Sequence, residues 1–294
     1  MNTDVLMIPF KITIVIFMSG ILLDMGLRLK LGDALEGLKN FRFVLHSLLW
    51  GFLIIPALAW LMTIIFPLEQ PYALGMILLG VTPCAPFLPM MVDKAKGNLE
   101  LTAAFMLLVS VFIVLYMPFA VPYLTEGLTV SSWTIARPLI ILVIIPMVIG
   151  ILTRHFTPKL AFKIQPAVKK ITFVFTIIML LLIVIIYGKS LISSAGSFFL
   201  AAQLTFFLIV SIATYVFSFG LKREEKVVLT LGMITRNLGA ALAPLYAIAA
   251  IDERAIIMVV LAVPLQLIFA ALAARRFGRL AQKDKTNLDE NFVK

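Results

Sequence analysis

Cysteine is almost missing from this 294-residue chain: Cys84 stands alone, which excludes an internal disulfide and a cysteine-based metal cluster. Histidine is nearly as scarce. His46 and His155 are too few and too far apart for a metal site, so no metal is expected. Charge is thin as well, at 14% of residues against about 25% in an ordinary soluble domain. Paired carboxylates, a histidine cluster and a Ser/Lys constellation are all lacking at membrane depth, so a membrane-embedded enzyme is not expected. A cleavable leader is lacking too. The apolar stretch 5–23 has no basic n-region and no small-residue cleavage site, and reads as a permanent span.

What is present is hydrophobic. Apolar residues make up 62% of the chain and the mean hydropathy is +1.09. A soluble core cannot hide that much apolar surface at this length, whereas lipid solvates it. The formal charge of +10 is set in short gaps between apolar runs, as in cytoplasmic loops, and does not point to nucleic acid. The pattern predicts an all-α polytopic membrane protein. Nine runs are long enough to cross a bilayer: 5–27, 43–66, 71–91, 99–122, 133–152, 171–188, 197–219, 227–251 and 255–274. They lack the strict alternation of a barrel.

Loop charge predicts the orientation. Arg28, Lys30, Lys39 and Arg42 lie in the first loop, Lys94 and Lys96 in the third, and Arg154, Lys159, Lys163, Lys169 and Lys170 in the fifth. The seventh carries Lys222, Arg223 and Lys226, and the segment after the last span carries six further cations. The even loops hold almost none. This alternation predicts an N-terminus outside, a cytoplasmic C-terminus and an odd number of spans in the cell (plasma or inner) membrane. Residues 1–281 form the expected membrane domain, with 282–294 a polar, disordered cytoplasmic tail.

Two spans are unlike the rest. The third contains Gly80-Val81-Thr82-Pro83-Cys84-Ala85-Pro86-Phe87-Leu88-Pro89, where three prolines remove donors and rule out a straight helix. The eighth contains Gly232-Met233-Ile234-Thr235-Arg236-Asn237-Leu238-Gly239, a polar cluster with a full charge at mid-span. They lie five spans apart. Five is odd, so a repeat of five would be inverted, with the first helix of its first copy missing. Paired interruptions of this kind point to a transporter's site near the bilayer midplane.

At these residues the chain resembles the bile acid/sodium symporter family. Met25-Gly26-Leu27-Arg28-Leu29-Lys30 is similar to a signature of the family's first loop, and Ala95-Lys96-Gly97-Asn98 to the turn after its first crossing helix. Gly232-Met233 and Leu238 with Ala240-Ala241-Leu242-Ala243 are similar to the second. The resemblance implies a core subdomain (second to fourth and seventh to ninth spans) holding two crossing discontinuous helices, and a panel (first, fifth and sixth spans). It also implies alternating access. Relatives that bind sodium use polar residues at positions matching Leu88, Pro89, Thr230, Ile234 and Gly51 here; of the positions that align, Thr102 keeps its hydroxyl. A sodium site needs converging oxygens, so these departures argue against sodium coupling, and no other cofactor is expected.

Arg236 is the leading candidate. A guanidinium at a helix centre costs about 2.5–3.5 kcal/mol on insertion scales, so it should face a cavity or a partner rather than lipid. It can clamp a substrate's carboxylate, sulfonate or phosphate, or act as a fixed cation that holds the crossover together. Thr235, Asn237, Thr82 and Cys84 are candidate lining groups, although the polar ones can also satisfy backbone freed by the breaks. Gly80, Gly232 and Gly239 would allow backbone or ligand to approach closely. Gln203 and Gln266 are expected to bond between helices, Asp24 to pair with Arg28, and Asp93 with Lys94. The function expected is secondary transport of a small organic anion. The alternatives are an efflux carrier similar to the arsenite or auxin exporters, and a channel. The partners implied are that substrate and the lipid bilayer; the oligomeric state is not readable.

Overall fold

The structure, a computed structural model, describes residues 3–124, 131–193, 198–247 and 252–292. Among them there is no strand; the chain is a bundle of helices. In order these are α1 (Thr3–Arg28), α2 (Leu31–Gly37), α3 (Phe41–Leu49), α4 (Ile55–Ile65), α5 (Gln70–Gly80), α6 (Leu88–Lys94), α7 (Leu99–Leu124), α8 (Ser132–Leu139), α9 (Ile145–Phe156), α10 (Pro158–Ser193), α11 (Phe199–Val216), α12 (Arg223–Ile234), α13 (Leu238–Ala247) and α14 (Glu253–Phe292). Seven helical spans among the described residues are long and apolar enough to cross a membrane.

Two of these spans are continuous through a π-helical turn. Trp50–Ile54 joins α3 to α4, and Ile140–Ile144 joins α8 to α9. Both turns are followed by Ile-Pro, at Pro56 and Pro146. Proline has no N–H to give the preceding turn, and the wider π turn accommodates the missing bond without ending the helix. Helix starts are set by side chains: Asn40 accepts from the Phe43 N–H at 3.2 Å, and Ser131 from that of Thr134 at 3.2 Å.

The surface is inverted relative to a soluble protein. Leu53 is 62% exposed, Val184 62% and Phe119 72%, while the interior is closed by Phe10, Ile14, Phe43, Phe105, Phe206 and Phe207 at 0%. Apolar side chains in that number on the outside are stable against hydrocarbon and not against water. The chain is a multi-pass membrane protein.

Packing sorts the helices into neighbourhoods. α1 lies along α9 and α10; α5 packs on α4 and α14; α2 on α7; α11 on α12 and α14; and α8 meets α13 and α7. The α1–α9 contact is backbone against backbone. A Cβ on Gly26 would come within 2.3 Å of the Met147 carbonyl oxygen, and one on Gly150 within 2.6 Å of the Leu23 carbonyl oxygen. At one end of the bundle Arg254 holds Asp252 at 2.6 Å and also reaches Glu69. The bond from the Arg254 side chain keeps the Asp252 carboxyl below its ordinary range.

Helix limits depart from the sequence reading in two places. α10 begins at Pro158 rather than 171, because the basic stretch bearing Lys159, Lys163, Lys169 and Lys170 is part of the same helix. α14 continues as helix through 282–292, where composition alone predicts a disordered tail. The third and eighth runs are each divided into two short helices, at the interruptions the sequence shows.

Candidate functional site

The first break starts where α5 runs out of donors. Pro83 forces Thr82 away from helical geometry. The Thr82 hydroxyl then bonds the Leu78 carbonyl at 2.8 Å, replacing a lost backbone partner. Cys84 follows with φ +74°, a left-handed conformation rare outside glycine. It is held there by its own N–H, which donates to the Thr235 carbonyl at 2.7 Å and the Gly232 carbonyl at 3.0 Å. α6 then starts with Pro89 in its first turn.

The second break lies between α12 and α13. Thr235 is extended, at φ −82° and ψ 135°. Asn237 caps α13, its Oδ1 accepting from the Ala240 N–H at 3.1 Å. The two breaks meet as a one-pair antiparallel bridge, Pro83 opposite Arg236. Two backbone bonds frame it: Cys84 N–H to the Thr235 carbonyl at 2.7 Å, and Asn237 N–H to the Thr82 carbonyl at 2.8 Å. Thr235 Oγ1 also accepts from the Ala85 N–H at 3.2 Å. In this register neither bridged residue donates across, so Pro83 has no N–H to lose. The Arg236 N–H faces the other way, to Gln266 Oε1 on α14 at 2.5 Å. Backbone that would be orphaned in lipid is thereby satisfied inside the protein.

Arg236 is fully buried at 0% exposure. Its Nη1 lies 3.4 Å from the carbonyl oxygens of Leu79 and Gly80, the last two residues of α5. A guanidinium there opposes the negative end of the α5 dipole. The Phe206 ring lies over it, 5.5 Å from centroid to Cζ. None of the ion pairs among the described residues includes Arg236. Its Nε and Nη2, together with Asn237 Nδ2 and Gln266 Nε2, have no hydrogen-bond partner.

Thr82, Cys84, Thr235, Arg236 and Asn237 are thus brought together, all buried. The glycines divide. A Cβ on Gly80 would lie 2.4 Å from Ala59 Cβ and one on Gly232 2.3 Å from the Phe105 ring, so protein groups make those close approaches. Gly239 meets only ordinary contacts from 3.4 Å outward. Gln203 bonds between helices, its Nε2 donating to the Met258 carbonyl. Asp24 pairs with Arg28 at 2.7 Å and accepts from Gln165 at 2.6 Å. Asp93 is exposed, and the ion pairs among the described residues do not join it to Lys94. The residue that sequence reasoning underrated is Gln266, visible only as a buried polar group in an apolar run.

The positions at which relatives would hold sodium do not fit the ion. Leu88 and Ile234 are apolar and buried at 0%. A Cβ on Gly51 would meet Pro83 and Met233 at 3.3 Å. The Thr102 hydroxyl is bonded to the Asn98 carbonyl of its own helix at 2.7 Å, which leaves the Thr230 hydroxyl as the one uncommitted oxygen among these side chains. Such a set lacks both the oxygens and the carboxylate that the cation needs.

Two cavities adjoin the crossover region. One of about 390 Å³ is lined by residues that include Arg28, Lys30, Asp33, Pro86, Pro89 and Glu100. The other, of about 620 Å³, is an apolar cleft between α4 and α7 near Phe112, Tyr116 and Tyr123. The model of the Sodium Bile acid symporter family matches residues 14–194, from α1 through the first crossover to the end of α10. The chain belongs to that family. No curated protein matches it. As a family member it is a membrane transporter built as a helical bundle. The match ends before the second crossover, so Arg236 has to be read from its own surroundings.

Proposed function

We propose that the chain is a secondary transporter that carries a small organic anion by alternating access, without sodium coupling of the family's usual kind. The observation that carries this reading is Arg236: a buried guanidinium set on the C-terminal carbonyls of α5, with no carboxylate among its partners. A fixed cation there stands in for a mobile one, and its remaining N–H groups suit an anion.

On this reading α5 with α6, and α12 with α13, are two discontinuous crossings that bring the seven continuous spans to nine, in inverted five-helix repeats that lack the first helix. α1, α8–α9 and α10 form the panel; the other spans form the core. The neighbourhoods α1–α9–α10 and α4–α5–α14 support that division. The N-terminus lies outside, and the cavity bounded by Arg28 and Lys30 opens to the cytoplasm. Residues 1–281 are the membrane domain, with 282–294 appended on the cytoplasmic side.

Rocking of the panel against the core would carry an anion from that cavity to the crossover. Arg236 and Asn237 supply donors there. Thr235, Thr82 and Cys84 hold the crossover's shape, while Gly80, Gly232 and Gly239 set its packing. The test is uptake of a panel of organic anions into proteoliposomes, in sodium and in potassium. Saturable uptake equal in both salts, and lost in a folded Arg236→Gln, is the expected result. Uptake that requires sodium overturns the fixed-cation reading.

A further inference from the structure

Four buried donors at and beside Arg236 have no acceptor. Asn237 and Gln266 could in principle turn their amide oxygens toward the guanidinium, but both are locked the other way. Asn237 Oδ1 accepts from the Ala240 N–H at 3.1 Å, and Gln266 Oε1 from Arg236's own N–H at 2.5 Å. Flipping either amide would set NH₂ against N–H. Nε and Nη2 of Arg236, Nδ2 of Asn237 and Nε2 of Gln266 therefore remain as buried donors on three side chains that are 0%, 1% and 0% exposed. They belong to one locality, because Asn237 follows Arg236 in the chain and Gln266 is bonded to its backbone.

The charge is also unbalanced. Two carboxylates inside the bundle are engaged elsewhere: Asp24 with Arg28 and Gln165, and Glu225 with Asn40 at 2.6 Å and the Lys222 N–H at 2.8 Å. Carbonyl oxygens at 3.4 Å and one aromatic face offset a buried cation only in part. Four unpartnered donors beside a buried positive charge favour a ligand that only accepts. Water fits less well because its own hydrogens need acceptors. Neither of the two cavities described above is lined by these three side chains.

We propose that the Arg236–Asn237–Gln266 locality binds a monovalent inorganic anion of the halide class, chloride in the cell, and that this anion is the counter-substrate. This inference rests on the reading of organic-anion transport above. An organic anion that leaves the crossover uncovers a buried guanidinium, and the halide takes its place before the carrier closes and returns. The coupling is then exchange of organic anion for halide, one charge against one for a monocarboxylate, with no cation required.

The test begins with the purified protein and no organic anion. Its melting temperature is followed as potassium gluconate is replaced by potassium chloride or bromide at constant ionic strength. A saturable rise of at least about 3 °C is expected in both halides. The rise should vanish in Arg236→Gln. In Asn237→Asp, where a carboxylate keeps the cap and supplies an internal counter-charge, the protein should be stable in gluconate and indifferent to halide. That second variant decides the matter if Arg236→Gln does not fold. Proteoliposomes loaded with chloride should take up organic anion about tenfold faster than those loaded with gluconate. No halide shift in wild type, combined with uptake indifferent to internal chloride, overturns the exchange proposal and leaves organic-anion transport standing. A halide shift abolished by Arg236→Gln, without uptake of any organic anion, does the reverse: the anion site stands and the organic-anion reading falls.

Discussion

The two crossovers break a helix by opposite means. The first removes donors: Pro83, Pro86 and Pro89 carry no N–H, and the N–H groups left at Cys84 and Ala85 are taken up by Gly232 and Thr235 of the second break. The second keeps every donor and supplies partners instead, through Thr235, Asn237 and Gln266. The proline route leaves few donors to satisfy and yields an uncharged turn held by the facing crossover. The polar route depends on residues from three other helices, and leaves surplus donors on a buried cation. Chemistry accordingly sits on one side of the crossover and geometry on the other.

The sharpest way to break that comparison is to exchange functional loss between the two sides. Arg236→Gln should reduce transport at least about hundredfold in folded protein, whereas Pro83→Ala should leave it within about tenfold, as measured by initial uptake rates. Equal losses would mean that the first crossover also carries chemistry. Next come the hydroxyls. Thr235→Val removes both the acceptor of the Ala85 N–H and the donor to the Leu231 carbonyl, and should destabilise by about 1–3 kcal/mol. Thr82→Val loses a single local bond and should lose about 0.5–1.5 kcal/mol. Both are readable as shifts in melting temperature.

Glycines sharpen the comparison further. Gly80→Ala places a methyl 2.4 Å from Ala59 Cβ and should destabilise by about 1–3 kcal/mol through overpacking. Gly239→Ala meets nothing nearer than 3.4 Å and should fall within about 0.5 kcal/mol of wild type. The smallest effect lies away from both breaks, at Asp252. Its carboxyl is held below the ordinary range, first by the Arg254 side chain, so its stabilising contribution is present above the unfolded carboxylate value near ~3.9. That contribution fades as pH falls through the lower folded value. Asp252→Asn should therefore lower the melting temperature slightly at neutral pH, with the difference narrowing under acid.

The sequence carried the long spans well because hydrocarbon demands a long apolar run and little else. The run 43–66 became Phe41–Ile65, and 99–122 became Leu99–Leu124. The breaks were visible too, as prolines and as a charge where charge is expensive. Their joining was not. A bridge of two backbone bonds leaves no signature in side-chain identity, and Pro83 opposite Arg236 is a relation of register that only the fold supplies. Gln266 was visible as a polar residue in need of a partner, but its partner proved to be a main-chain N–H that no pairing rule anticipates. Gly80 and Gly232 were read as places where backbone or ligand could come close, and the side chains of Ala59 and Phe105 come close there. An empty side chain marks a close approach without saying what approaches.

The contact between Gly26 and Gly150 has a mechanical consequence. With carbonyl oxygens where side chains would be, α1 and α9 have no layer of rotamers between them to deform. The pair is a single stiff spar, and a spin label on each helix would keep its separation through the whole cycle. Compliance has to come from seams padded with flexible chains, such as the 390 Å³ cavity whose lining includes Met25 of α1 and Met106 of α7. A glycine in the first-loop signature thereby decides which surfaces slide and which do not.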